Sequence, residues 1–154
     1  MAVTAQQIYD SLVKMLEERD WKFRRFDEDL VVSAIIGTQD LPVEFTVRVN
    51  ESSEALMFRS VLPIKFPENK RVEGAVATCV ASYGLPKGCF EYDISDGEIA
   101  FRFASSYVDT VLSDDLMEKM ILYSAGVIDR YNDNFFALAK GFMTLDDFIS
   151  KENE

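Results

Sequence analysis

The stretch VEFTVRVNESSEALMFRSVLPIKF, at residues 43–66, decides the fold. Hydrophobic residues occupy every second position from Val43 to Val49, which is the pattern of a strand with one buried face. The polar run 51–54 predicts a turn, and a longer strand follows over 55–66. Because a short turn joins strands that run in opposite directions, the stretch predicts a sheet of antiparallel neighbours.

The longer strand is apolar on both of its faces. One face consists of Leu56, Phe58, Leu62, Ile64 and Phe66. The other combines Met57, Val61 and Pro63 with Arg59 and Lys65. A strand of this kind needs cover on both sides. We expect a helix on one side and a partner or bound segment on the other, and this is the clearest indication of function in the residues.

The chain before this stretch predicts one helix and two strands. Thr4 and Gln7 form a capping box, so a helix begins there, and its apolar pattern fades near Arg19. Residues 21–26 and 30–37 are then predicted as strands. In the first of them, WKFRRF, basic and aromatic residues alternate. We interpret it as an edge strand protected by charge rather than as a nucleic-acid-binding stripe.

The chain after this stretch predicts a helix and a hairpin. Pro67 suits a helix start, and apolar residues follow at helical spacing: Val72, Val76, Cys79, Val80 and Tyr83. Residues 89–94 and 98–104 form a predicted hairpin. Its connection contains Asp96 and Gly97, a pair that favours a type I′ turn.

A long helix is predicted from 113 to 140, ended by Gly141, and Thr144 caps a short terminal helix. The apolar stripe of the long helix is too wide for a small sheet to cover. We therefore expect either a strongly curved sheet or packing against a second subunit. The fold prediction is one α+β domain over 1–154, with an antiparallel sheet packed against helices, the order α-β-β-β-β-α-β-β-α-α and a frayed tail at 151–154.

Composition and charge exclude several classes of protein. The 154 residues include 16 basic and 27 acidic side chains and no histidine, giving a net charge of −11. Without histidine there is no Ser-His-Asp or Cys-His catalysis and no His-ligated zinc. The acidity repels nucleic acid and anionic membranes, so we expect neither as a partner.

The N-terminus and the cysteines indicate a compartment. Residues 1–10 lack the pattern of a signal peptide, and no apolar run is long enough to span a membrane, so we expect a cytoplasmic protein. Cys79 and Cys89 have no metal-ligand spacing. We interpret them as buried reduced thiols, with a structural disulfide as the alternative.

No group of residues predicts catalysis, a cofactor or a metal. Adjacent carboxylates occur at 17–18, 114–115 and 146–147, where predicted helix surfaces or first turns explain them. The residues therefore favour a protein that is not an enzyme.

Several motifs together resemble the YbjN family. They are RSVLP at 59–63, FPE at 66–68, KR at 70–71, GCFEYD at 88–93, DGEI at 96–99, FR at 101–102, DRY at 129–131, FAL at 136–138 and Gly141. The resemblance covers about residues 7–148. That family is described as candidate bacterial sensory-transduction regulators with a fold similar to type III secretion chaperones, which are small, acidic, non-enzymatic dimers. It implies a chaperone-like fold and a binding role without catalytic residues.

Three functional hypotheses follow, and the first is preferred. It is a cytosolic, homodimeric adaptor or chaperone-like regulator that captures a segment of a partner protein. Its candidate protein-binding residues are Phe58, Leu62, Ile64, Met117 and Met120. The second is a small-ligand sensor with a pocket between the last long helix and the sheet, using Arg102 and Tyr131. The third is an enzyme that uses carboxylates and a metal ion.

Overall fold

The computed structural model describes residues 2–39 and 41–152. Its helices and strands follow the predicted order, with one 3₁₀ turn, Glu68–Lys70, added before the second helix. In chain order they are α1 (Ala5–Glu18), β1 (Phe23–Phe26), β2 (Val31–Gly37), β3 (Pro42–Asn50), β4 (Ala55–Lys65), α2 (Arg71–Tyr83), β5 (Cys89–Asp93), β6 (Glu98–Ser106), α3 (Asp114–Lys140) and α4 (Leu145–Glu152). The α+β prediction is confirmed.

The six strands form one antiparallel sheet in the order β1-β2-β3-β4-β6-β5. The first four strands are sequential neighbours, as predicted from their short turns. After β4 the spatial order no longer follows the chain order. The chain passes through α2 and skips the position next to β4, reaching the far edge of the sheet. There β5 forms, and the hairpin then brings β6 back beside β4. The predicted edge strand is confirmed as β1.

The β5–β6 connection differs from the predicted type I′ turn. In the described chain, Gly97 has a positive φ of 79°, whereas Asp96 does not have the positive φ that such a turn needs. The four residues between Asp93 and Glu98 form a longer loop, closed by the Gly97 amide donating to the Asp93 carbonyl at 2.8 Å. Gly97 also lies against Phe66, whose amide donates to its carbonyl at 3.0 Å.

Local capping fixes the ends of the helices. The Thr4 hydroxyl accepts from the Gln7 amide at 3.1 Å, and the Gln7 side chain accepts from the Thr4 amide at 2.8 Å. At α3 the Ser113 hydroxyl accepts from the Leu116 amide at 3.1 Å, and Gly141 ends the helix in the left-handed conformation. Lys151 belongs to α4 rather than to a frayed tail, and residues 153–154 of the predicted tail lie outside the described residues.

The helices all pack on one face of the sheet. α1 contacts β3, α3 contacts β3, β4 and β6, and α2 contacts β5, while α4 rests on α2 and α3. The residues of β3 that face these helices are buried, and those between them are exposed. The opposite face of the sheet has no helix among the described residues, and we call it the open face.

The face of α2 that packs against the protein is not the face with the large apolar residues that the sequence predicted. Its buried residues are Gly74, Ala77, Thr78 and Ala81. Of the predicted apolar stripe, only Val80 is partly buried against the core, and the other four residues are exposed: Val72, Val76, Cys79 and Tyr83. Small residues are needed inside because α2 lies very close to β5. A Cβ at Gly74 would come within 2.5 Å of the Tyr92 hydroxyl oxygen.

Candidate functional site

The five residues predicted to bind a partner are all part of the hydrophobic core. Their relative exposures do not exceed 6%: Phe58, Leu62, Ile64, Met117 and Met120. They are buried because α3 packs directly on β4, and all five belong to the single core cluster formed between the helices and the sheet. The expectation of an accessible binding surface at these positions is therefore corrected, since all five are buried in the core of one chain.

The long helix α3 also needs no second subunit. Its wide apolar stripe is covered by the sheet together with α1, α2 and α4. The width of the stripe predicted either a curved sheet or a partner as cover, whereas the other helices supply much of that cover. At the C-terminal half of α3, Phe135 packs within 5.0 Å of the Phe90 ring and 5.3 Å of the Phe148 ring, measured between centroids.

The uncovered apolar residues lie instead on the open face. Val61 on β4 is 44% exposed, Ile35 on β2 is 60% exposed and Phe26 on β1 is 46% exposed. This is the second face of the long strand, for which the sequence analysis expected a partner or bound segment. We take the open face as the candidate site.

A groove crosses the open face over β1 to β4. Its volume is about 790 Å³, and its walls combine charged, hydroxyl and apolar side chains. Residues of β1 to β4 that contribute are Arg24, Ser33, Ile35, Thr46, Arg59 and Val61. Such a surface can bind both the backbone and the side chains of an extended segment.

An ion-pair network closes the groove at the β4 side. The Arg59 guanidinium contacts the Glu91 carboxylate at 2.8 Å and the Glu98 carboxylate at 3.4 Å. Arg102 reaches Glu91 at 3.6 Å. The hydrogen bond from Arg59 to Glu91 raises the pKa of Arg59 above its usual value, so this side chain stays charged.

A second exposed surface lies on α2. Val72 is 70% exposed and Tyr83 is 95% exposed, and with Val76 and Cys79 they form one line along the helix, which we call the α2 stripe. The residues 74–83 contain no charged side chain. Cys79 is an exposed free thiol and Cys89 a half-buried one, so the expectation that both are buried is wrong.

The pocket predicted for a small-ligand sensor does not lie between α3 and the sheet. That space is packed core, and Arg102 lies on the open face. A cavity of about 740 Å³ lies instead between α2, α3 and α4, lined by Tyr123, Arg130 and Tyr131. Burial, followed by a hydrogen bond to Glu152, raises the pKa of the Tyr131 hydroxyl.

Two features are absent from the described part of the chain: clusters of metal-ligating side chains and helices able to span a bilayer. Within residues 2–39 and 41–152, no three cysteine or acidic side chains come together as a metal-binding group. No helix in the same ranges has the length and apolarity to span a bilayer.

Comparisons with families and with curated proteins give no match. No family model matches the chain, and no curated protein is significantly similar to it.

Comparison with solved structures identifies the fold. The crystal structure of YbjN from E. coli, a candidate transcription regulator, matches with a TM-score of 0.62 and 10% identity over 82% of this chain and 92% of that one. The HopA1–SchA chaperone–effector complex matches with a TM-score of 0.55 and 14% identity over 84% and 94%. The fold expected from the family resemblance is thus confirmed, and the chain has a YbjN-like, type III secretion chaperone-like fold.

Proposed function

We propose that this protein is a non-enzymatic, cytosolic adaptor or chaperone-like regulator that holds a segment of a partner protein on its open face. The observation that supports this most strongly is the one-sided sheet, with Phe26, Ile35 and Val61 left uncovered beside the groove. Exposed apolar residues gathered on one surface are typical of protein-binding sites. The chaperone–effector complex with the same fold adds support.

The proposal is tested by photo-crosslinking in living cells of the source organism. Benzoylphenylalanine replaces Ile35 or Val61 on the open face and, as the control, Leu122, which is 45% exposed on α3. We expect a discrete adduct with another protein from the two sheet positions, identified by mass spectrometry, and none from position 122. Equal adducts from all three positions, or none from the sheet, would contradict the proposal.

The proposal includes a homodimer formed through the α2 stripe. Charged residues make up 28% of the chain, yet none occurs over 74–83. Depletion of charge is typical of the centre of an interface. Two antiparallel copies of a helix can place the same stripe face to face, which is the arrangement of a twofold dimer. Between Val72 and Tyr83 the stripe runs for about 16 Å at 1.5 Å per residue.

A ligand sensor is the second candidate function, supported by the cavity between α2, α3 and α4. The Arg130 guanidinium lies 5.0 Å from the centroid of the Tyr131 ring, so a cation and a hydroxyl line the same space. We expect a panel of small anionic metabolites to raise Tm if this cavity binds one, and Arg130→Ala to remove the effect. If no metabolite raises Tm, the open face remains the candidate functional surface.

A further inference from the structure

A line of hydrogen-bond donors runs across the open face. The strand register places Arg24 opposite Ser33, Ser33 opposite Thr46, Thr46 opposite Arg59, and Arg59 opposite Arg102. We call these five residues the donor row. At about 4.8 Å between strands, the row extends for about 19 Å. It contains no carboxylate, in a chain whose acidic residues outnumber its basic ones by 27 to 16.

The two ends of the donor row differ in their partners. Arg59 and Arg102 share Glu91, so the β4–β6 end is partly neutralised inside the protein. Within residues 2–39 and 41–152, Arg24 has no carboxylate within 4.0 Å, and the hydroxyls of Ser33 and Thr46 make no hydrogen bond. Lys22 adds a further cation to the same end of the groove. The β1–β3 half therefore offers unused donors to an anionic acceptor.

Apolar side chains lie on both sides of the donor row. Along the strands, Phe26 is two residues from Arg24 on one side, and Ile35 and Val61 lie on the other side, with the exposed Glu44 between them. All three are more than two-fifths exposed. A ligand that lies across this face thus needs acidic groups over the donor row, apolar groups against Phe26, Ile35 and Val61, and no acidic group over Glu44.

We propose that the open face selects a partner segment rich in Asp or Glu and in large apolar residues, lying across the strands with its carboxylates on the donor row. This rests on the proposed function and names the partner's chemistry. A basic segment would meet Arg24 and Lys22 with like charge, and so would the open face of a second copy. A nucleic acid would match the cations of the donor row but would leave the apolar side chains beside it without an apolar partner.

The experiment is selection of random 16-residue peptides displayed on phage against the purified full chain. The two binding-site variants are Arg24→Glu, at an exposed position, and Val61→Asp. The matched control is Lys119→Glu, which makes the same charge reversal at an exposed position on α3. Thermal melts check that each variant remains folded. Affinities of the selected peptides, and of a 20-nucleotide oligothymidine, are measured by fluorescence anisotropy.

We expect the selected peptides to be enriched in Asp, Glu and large apolar residues. Arg24→Glu should weaken their binding at least tenfold, and Lys119→Glu should leave it within twofold. If basic or uncharged peptides are selected and Val61→Asp removes their binding, the inference about acidity fails and the proposed function stands. If no peptide is enriched, or neither Arg24→Glu nor Val61→Asp changes binding, both fail. Tighter binding of the oligothymidine than of any peptide also overturns the inference.

Discussion

The indole nitrogen of Trp21 donates a hydrogen bond to the Glu118 carboxylate at 2.9 Å, across 97 positions of the chain. The same carboxylate accepts from the Arg19 guanidinium at 2.8 Å. The segment that leaves α1 is therefore fastened to the first turns of α3. This contact joins the N-terminal helix to the helix that covers the centre of the sheet.

Removing the charge of Glu118 should lower stability in a pH-dependent way. The hydrogen bond from Trp21, followed by that from Arg19, holds the pKa of Glu118 below its ordinary value. The carboxylate thus contributes stability above about pH 4.3, the pKa of glutamate in an unfolded chain, and loses it as pH falls through the lower folded pKa. Glu118→Gln should reduce the free energy of unfolding at pH 7 by about 1–2 kcal/mol.

Urea denaturation at pH 7 and at pH 3 measures this difference. The gap between wild type and Glu118→Gln should narrow at the lower pH. The control is Asp115→Asn, which also contacts Arg19 but has a side chain that is 74% exposed, so it should cost no more than about 0.5 kcal/mol. Equal effects of the two variants at pH 7 would contradict the prediction.

Phe58 should behave as a core residue. Its ring stacks on Phe45 at 5.1 Å and lies edge-on to Phe101 at 6.4 Å between centroids. Phe58→Ala should lower the free energy of unfolding by about 3–5 kcal/mol because it leaves a cavity. Ile35→Ala on the open face is the control and should change it by less than about 1 kcal/mol. A loss below 1 kcal/mol for Phe58→Ala would contradict its place in the core.

Two glycines should respond to alanine in opposite directions. A Cβ on Gly97 would lie 2.2 Å from the Phe66 carbonyl oxygen, and φ there is +79°. Gly97→Ala should therefore cost about 2 kcal/mol or more. Gly126 lies inside α3 with no atom within 4 Å of the added Cβ, so Gly126→Ala should stabilise by about 0.5–1 kcal/mol. Thermal melts of both variants check the pair, and a shift of Tm in the same direction would refute it.

The α2 stripe should govern self-association. Light scattering over a concentration series should give twice the 17.5 kDa mass of one chain. Tyr83→Asp should make the protein monomeric. Because this side chain is 95% exposed in one chain, the substitution should not lower the stability of the folded monomer itself. Leu122→Asp on α3 is the control and should remain dimeric. A wild-type monomer at every concentration would rule out the dimer, as would a Tyr83→Asp variant that keeps the dimer mass.

Periodicity predicted the order of the helices and strands because alternation and caps are local properties of the chain. It failed at α2, where large apolar residues at helical spacing point outward. There the close approach of α2 to Tyr92 selects Gly74 and its small neighbours for the inside, and this spacing depends on the packed sheet. The absence of charge over 74–83 was the one local signal of the exposed stripe.

The donor row could not be predicted in the same way. Its residues come from five strands, and only the final register brings Arg24 into line with Arg102. The expected binding residues failed for a related reason. The sequence analysis identified two apolar faces on β4, but which one α3 would cover was settled only by the fold.

Because helices cover only one face of the sheet, neighbouring residues of one strand are under different evolutionary constraints. Along β3, Phe45 is fixed by the core, while its neighbours Glu44 and Thr46 face solvent and can vary at little cost in folding free energy. On β3 and β4, every second residue is thus free to vary while the alternate residues preserve the architecture. The exposed surface of such a sheet can therefore change its chemistry from one sequence to the next while the scaffold beneath it stays the same.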